Sequence, residues 1–227
     1  IRGEYTPLTK NMESMDQLEN PVIDLENFQD LQYFGPINIG SEDETFKVVY
    51  DTGSGWIYIN TKGCDGCGGT GHQFDPSTSS TFESTGEEKT LSYGKGQVTG
   101  VIAHEQFSVP GSESVDAVFV PATSGKDNEG AQSDGIVGLT PVATGGEDLF
   151  VDRLADAGII DAKEFTTYIA HENEQSYIDF GTNHDVSDSE ITWVDLQKLP
   201  TNDRLIYWSA GIDSLTVGDE KLSLKYD

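Results

Sequence analysis

The run Val48-Val49-Tyr50-Asp51-Thr52-Gly53-Ser54-Gly55 joins an apolar strand, an acid and a turn in eight residues. The β-branched pair and the tyrosine suit a pleated, half-buried backbone, and Thr, Gly, Ser, Gly after the acid suit a tight turn. Main-chain N–H groups and hydroxyls in such a turn can hydrogen-bond the Asp51 carboxylate, favouring its ionised form and fixing its direction. Taken alone, the same eight residues also fit an ordinary strand-to-turn junction. The flanks have to decide.

Upstream, residues 33–39 and 45–50 read as strands separated by the turn Gly40-Ser41-Glu42-Asp43, and residues 56–59 form a third strand downstream. Cys64 and Cys67, the only cysteines, sit in a glycine-rich loop. A C-x-x-C pair suits a redox centre, half of a zinc site or a small disulfide. With no further cysteine and only His72 nearby, zinc is disfavoured, and the loop lacks the helix that a redox pair usually opens. A structural disulfide, and with it an oxidising compartment, is the favoured reading. From Lys89 to Val109 runs a long hairpin with glycines at its tip, and residues 115–120 alternate as a strand. Phe150, Leu154 and Ala157 share one face of a helix expected over 147–157, with Gly158 as its stop. Short strands then follow at 165–171, 175–180, 191–196, 205–209 and 212–217, so an antiparallel all-β protein is expected. Residues 1–23, polar and without period, read as an extended arm or the remnant of a prosegment.

The chain carries 13 basic against 40 acidic residues, a net charge of −27. Nucleic-acid binding needs clustered Lys and Arg and is excluded. No run reaches the length of a membrane span, and no apolar signal run opens the chain. The acidity fits either a halophile-like surface or a protein built for acid, where protonated carboxylates and few bases limit self-repulsion. His104-Glu105 and His171-Glu172 lack the second histidine of a metalloprotease helix, and Gly94 to Gly100 misses the dinucleotide fingerprint by one residue. Neither a metal nor an organic cofactor is expected.

Several ordered pieces resemble the pepsin-like aspartic proteases: Leu25-Glu26-Asn27-Phe28 with Tyr33-Phe34-Gly35, Asp51-Thr52-Gly53-Ser54, the cysteine pair, Phe74-Asp75-Pro76 through Phe82, Tyr93-Gly94-Lys95-Gly96, and Asp134-Gly135-Ile136-Val137-Gly138-Leu139. Ile191 to Val194 and Tyr207-Trp208 through Val217 continue the likeness, which covers about residues 24–222. The resemblance implies an all-β, two-lobed fold, with 24–190 as an N-terminal catalytic lobe and 191–227 as the start of a second lobe that is incomplete here. It implies an aspartic endopeptidase that acts on peptides or proteins at acid pH. Two aspartates within hydrogen-bond reach cannot both ionise cheaply; they share a proton, a coupling of which pepsin is the type case. The ionised member takes a proton from water and the protonated one polarises the scissile carbonyl. In this likeness Asp51 is one of the pair, supported by Thr52, Gly53 and Ser54. Tyr93 closes over substrate on its flap; Val49, Gly94, Lys95 and Ile136 line subsites; Cys64 and Cys67 form a disulfide. A secreted, lysosomal or vacuolar location follows.

Departures from the family pattern matter as much. Asp-Thr-Gly occurs once, whereas the family has a second such motif in its C-terminal lobe. The second carboxylate is expected outside this chain, in the rest of a longer enzyme or on another chain. The alternative is a noncatalytic relative that binds peptides or partners. Tyr58 stands where the family usually has a tryptophan that steadies the flap tyrosine, and Lys95 puts a positive charge at the flap tip.

Overall fold

From Val22 onward apolar and polar residues alternate, and the backbone follows them into strands. The computed structural model describes residues 20–171, 174–187, 189–199 and 203–222. In β1 (Val22–Phe28), Ile23 and Leu25 are buried while Val22, Asp24 and Glu26 face outward, the two-residue period of a strand with one wet face. It begins inside the span expected as an arm, because Val22 and Ile23 pair with Asp179 and Ile178. Residues 1–19 lie outside the described residues.

β2 (Gln32–Ile39), β3 (Glu44–Asp51), β4 (Ile57–Asp65), β5 (Glu83–Ser92), β6 (Gln97–Ser108), β7 (Val115–Lys126), β8 (Gly135–Gly138), β9 (Phe165–Tyr168) and β10 (Ser176–Phe180) join β1 in one sheet. Its order is β5-β6-β7-β4-β8-β3-β2-β1-β10-β9. β2 also pairs with β6 through Asn38–Ser108 and Ile39–Phe107, so the run from β6 to β2 closes on itself and hides its edges. The all-β expectation holds, but not every pairing is antiparallel. β3 with β8 and β4 with β7 run parallel, which long crossover connections permit and tight turns do not.

The core fills the space between these strands with phenylalanines set edge to face: Phe119 meets Phe107 at 5.2 Å and Phe74 at 6.3 Å, and Phe150 meets Phe180 at 6.0 Å. A smaller cluster of Trp56, Tyr58, Cys67, Leu91, Val98, Val120 and Ala122 lies beneath the β5–β6 hairpin. α1 (Phe150–Asp156) is shorter than expected, since Glu147 turns its side chain back to loop amides instead of opening the helix. Its end is as read: Gly158 has φ 72°, and Ile159 and Gly158 donate to Leu154 and Ala155.

Four strand expectations fail or shrink, the first being 165–171, of which β9 keeps Phe165–Tyr168. The described residues of 191–196 and 205–209 form no strand, and 212–217 contracts to β11 (Leu215–Val217), paired only with β12 (Glu220–Leu222). A strand needs a neighbour for its N–H and C=O groups, and among the described residues no strand of the large sheet pairs with this segment.

Candidate active site

Asp51 is the last residue of β3, and the parallel register sets it beside Gly138 at the end of β8. Two turns therefore leave the sheet side by side. In the first, Gly53 N–H donates to Asp51 Oδ1 at 2.9 Å and the Ser54 hydroxyl to Oδ2 at 2.6 Å. Thr52 is exposed and makes no hydrogen bond to the carboxylate among the described residues, so the cradle has two donors where three were expected. The second turn backs the first: Leu139 N–H donates to Asp51 O at 2.8 Å, Thr140 N–H to Ser54 O at 3.1 Å and Gly138 N–H to Trp56 O at 3.1 Å. Position 138 must be glycine, because a Cβ there would lie 2.6 Å from Ser54 O. Asp134, buried, ties this loop down through Thr70 N–H at 3.1 Å and Lys47 N–H at 3.2 Å.

The β5–β6 hairpin turns through Tyr93 to Gly96, with Tyr93 N–H on Gly96 O at 3.0 Å and Gly96 at φ 80°. Tyr93 points back at the site, its ring 5.7 Å from that of Tyr58. No hydrogen bond reaches its buried hydroxyl. Ser54, whose own hydroxyl is committed to Asp51, approaches it without hydrogen-bond geometry. Burial holds the Tyr93 hydroxyl far above the ordinary phenol range, with Tyr58 and the Asp51 carboxylate adding to the effect and Ser54 opposing it. Burial, then Asp51, pushes Tyr58 up to about 12. Tyr58 thus meets Tyr93 through ring contact, at the position where the resemblance implied a tryptophan N–H.

Other predicted positions fall around this centre. Gly94 is exposed at the hairpin tip, and Lys95 Nζ donates to Glu129 O at 3.4 Å, so loop 127–131 holds that charge. Val49 lies opposite Ile136 in register. Val49 lines a cavity of about 400 Å³ with Thr52, Tyr33, Leu31 and Ile169, whereas Ile136 packs on the cluster beneath the hairpin. Cys64 and Cys67 are joined in a disulfide whose loop packs against the same cluster.

Some neighbours carry no advance signal. Glu147 reads as a helix opener yet sits buried in the loop behind the turn, and Lys89, the first residue of the expected hairpin, lies over the Trp56 ring. Trp208 donates from Nε1 to Leu139 O at 2.6 Å, one peptide from the bond that holds Asp51. Only the tertiary arrangement places these three.

A cradled carboxylate can accept a proton from water, and a hairpin with a buried phenol can close over a bound chain. Comparison with known proteins places the chain in a family. The model of the eukaryotic aspartyl protease family matches residues 32–226. Cathepsin E of Cavia porcellus is 31% identical over 231 residues, covering 96% of this chain and 57% of that protein. Pepsin A of Sus scrofa is 29% identical over 206 residues, covering 88% of this chain and 52% of that protein. The chain therefore spans little more than half the length of these relatives. Because the family model matches well over half of the chain in one continuous span, the chain belongs to the eukaryotic aspartyl protease family.

Proposed function

We propose that this chain supplies one half of the catalytic centre of an endopeptidase that hydrolyses peptide bonds at acid pH. The observation that carries the proposal is the Asp51 carboxylate, held in front by Gly53 and Ser54, with its turn held from behind by Leu139 and Thr140. Asp51 is one member of the pair, and the other comes from the remainder of the protein or a second chain. The relatives' greater length and the single Asp-Thr-Gly here support that division. Between the two carboxylates a water attacks the scissile carbonyl, one acid taking its proton and the other polarising the carbonyl oxygen. A shared proton requires acid conditions.

Tyr93 and Gly94 close over the bound peptide, Val49 and Ile136 shape apolar subsites, and Lys95 favours acidic residues near the hairpin tip. The disulfide and the charge of −27 support an oxidising, acidic location, either secreted or lysosomal. Among the described residues no helix is long and apolar enough to cross a membrane. Residues 24–190 make up the catalytic lobe and 191–227 open the second.

The test compares full-length protein, its Asp51→Asn variant and residues 1–227 alone for casein cleavage at acid pH. Full-length protein is expected to cleave, Asp51→Asn to lose at least ~1,000-fold in kcat/KM, and the shorter piece to be inactive. Activity in the piece that vanishes with Asp51→Asn would move the second carboxylate to another copy of the chain. An inactive full-length protein would favour a noncatalytic peptide binder.

A further inference from the structure

Behind the catalytic turn lies a carboxylate that the proposed reaction does not use. Glu147 is 5% exposed. It accepts hydrogen bonds from Thr144 N–H at 2.6 Å, the Thr144 hydroxyl at 2.8 Å and Gly145 N–H at 2.6 Å. A Cβ at Gly55 would begin 2.8 Å from Glu147 Oε1 and 2.8 Å from Thr140 Oγ1. The acid therefore rests against the backbone that follows Ser54, in the loop whose Thr140 N–H bonds Ser54 O.

The same loop takes hold of the hairpin. Lys89 Nζ donates to Gly145 O at 3.2 Å and stands 4.6 Å from the centroid of the Trp56 ring. Lys89 and Leu91 are partly or wholly buried while Glu88, Thr90 and Ser92 are exposed, so the two project from one face of β5, and half-buried Tyr93 follows them at the start of the turn. Among the described residues β5 stands at one end of the sheet order, with a strand partner on one side only. Side-chain ties on that face decide how far it can swing. Lys95 on Glu129 O at 3.4 Å and Asn128 on Gln97 O at 2.8 Å hold the tip, and Lys89 holds the strand below it.

We infer that Glu147 and Lys89 are positioning residues, which act through loop 140–147 to set the Tyr93 hairpin against the Asp51 turn. The inference rests on the protease reading, since it concerns how the flap meets that site. A neutral side chain at 147 would leave the amides of Thr144 and Gly145 with weaker acceptors, and the carbonyl that receives Lys89 would lose its fixed place. A neutral side chain at 89 would remove both the hydrogen bond and the cation–π contact with Trp56. Acid does not readily dissolve this tie. Burial raises the Glu147 pKa, but the bonds from Thr144 and Gly145 outweigh it and bring the group below its ordinary value. Its stabilising contribution is thus present above the ordinary glutamate range and is lost only as pH falls through that lowered value.

The experiment uses the full-length protein with Lys89→Met, Lys89→Arg and Glu147→Gln. Lys89→Met should lower kcat/KM about tenfold, mostly in kcat, because the hairpin acts on the transition state more than on binding. Lys89→Arg should stay within about twofold of the parent, since a guanidinium can make both contacts. Two readouts do not depend on activity. Within residues 1–227, where this readout is taken, Trp193 and Trp208 are 77% and 49% exposed against 7% for Trp56, so Trp56 supplies the short-wavelength edge of the emission, which Lys89→Met should change. Amide exchange in residues 89–93 should quicken in Lys89→Met and in Glu147→Gln, and in the latter loop 140–147 should quicken as well. Both readouts are repeated in Asp51→Asn. If Asp51→Asn remains active the protease reading falls, while exchange and emission still judge the brace. Parental kinetics and parental hairpin exchange in Lys89→Met would overturn the inference, as would a loss in Lys89→Arg equal to that in Lys89→Met.

Discussion

The strands of 22–181 and the segment 189–222 use similar residues and meet opposite fates. In β7, Val115, Ala117 and Phe119 alternate and are at most 4% exposed; in the last hairpin, Leu215 and Val217 alternate and are 45% and 64% exposed. The first set faces a sheet that closes on itself, whereas the second belongs to a two-stranded hairpin, an arrangement marginal in water by itself. Trp193, Val194 and Ile212 add more uncovered apolar surface. Trp208 ties this segment to the sheet, bonded to Leu139 O and set edge-on to Phe165 at 5.6 Å. Burial belongs to the surface opposite a residue as much as to the residue. An apolar patch of this kind marks a contact still to be made, and under the proposed reading the rest of the second lobe makes it.

The largest expected effect would break the contrast if it failed. Phe119→Ala removes a fully buried ring that touches Phe74, Phe82 and Phe107, and should cost about 3–5 kcal/mol in a urea melt. Trp193→Ala in residues 1–227 should cost no more than about 0.5 kcal/mol. If the same substitution costs several times more in full-length protein, the covering surface lies in the added residues; an equal cost would place Trp193 on an outer face.

Trp208→Phe tests the tie between the two regions. Losing the bond to Leu139 O should cost about 1 kcal/mol, and proteolysis within 189–222 should quicken while the core strands keep their protection. Equal loosening throughout would mean that the two regions unfold as one.

The smallest effect lies where β10 leads out of the sheet. Burial, then the charge of Asp185, raises the Asp179 pKa to about 6; His184 opposes this and Asp161 adds to it. Its register partners across the ladder, Val22 and Thr166, bring no charge. The folded form holds this proton more tightly than the unfolded one, so the contribution is full below about pH 4 and is lost as pH rises through about 6. Discounted for the solvent that reaches the group, the effect is about 1 kcal/mol. Asp179→Asn should therefore raise Tm at pH 7 by about 2–4 °C and flatten its dependence between pH 4 and 7. An unchanged slope in thermal melts would remove Asp179 from the account.

Much of the centre was legible along the chain. Val48 to Gly55 announces a strand, an acid and a turn, and the Tyr93 hairpin and Gly158 helix stop follow from glycines at positions of positive φ or tight turning. Local chemistry determines such features, because each depends on residues within a few positions of one another. The strands expected at 191–196 and 205–209 were not so determined, since their periodicity is satisfied only if another strand lies beside them.

Tertiary structure alone decided the rest. The parallel register of β3 and β8 brings Leu139 and Thr140 to the Asp51 turn across some ninety residues of chain, and no local preference encodes that neighbour. Glu147 has the sequence context of a helix opener, and only the space left by the missing side chain of Gly55 makes it a buried support. Tyr58 shows the same division at a single residue. Its identity shows that the usual indole N–H is absent; only the packing of its ring on Tyr93 shows that contact, and no hydrogen bond, now holds the hairpin there. Sequence sets which groups a residue can offer, and the fold sets which of them find a partner.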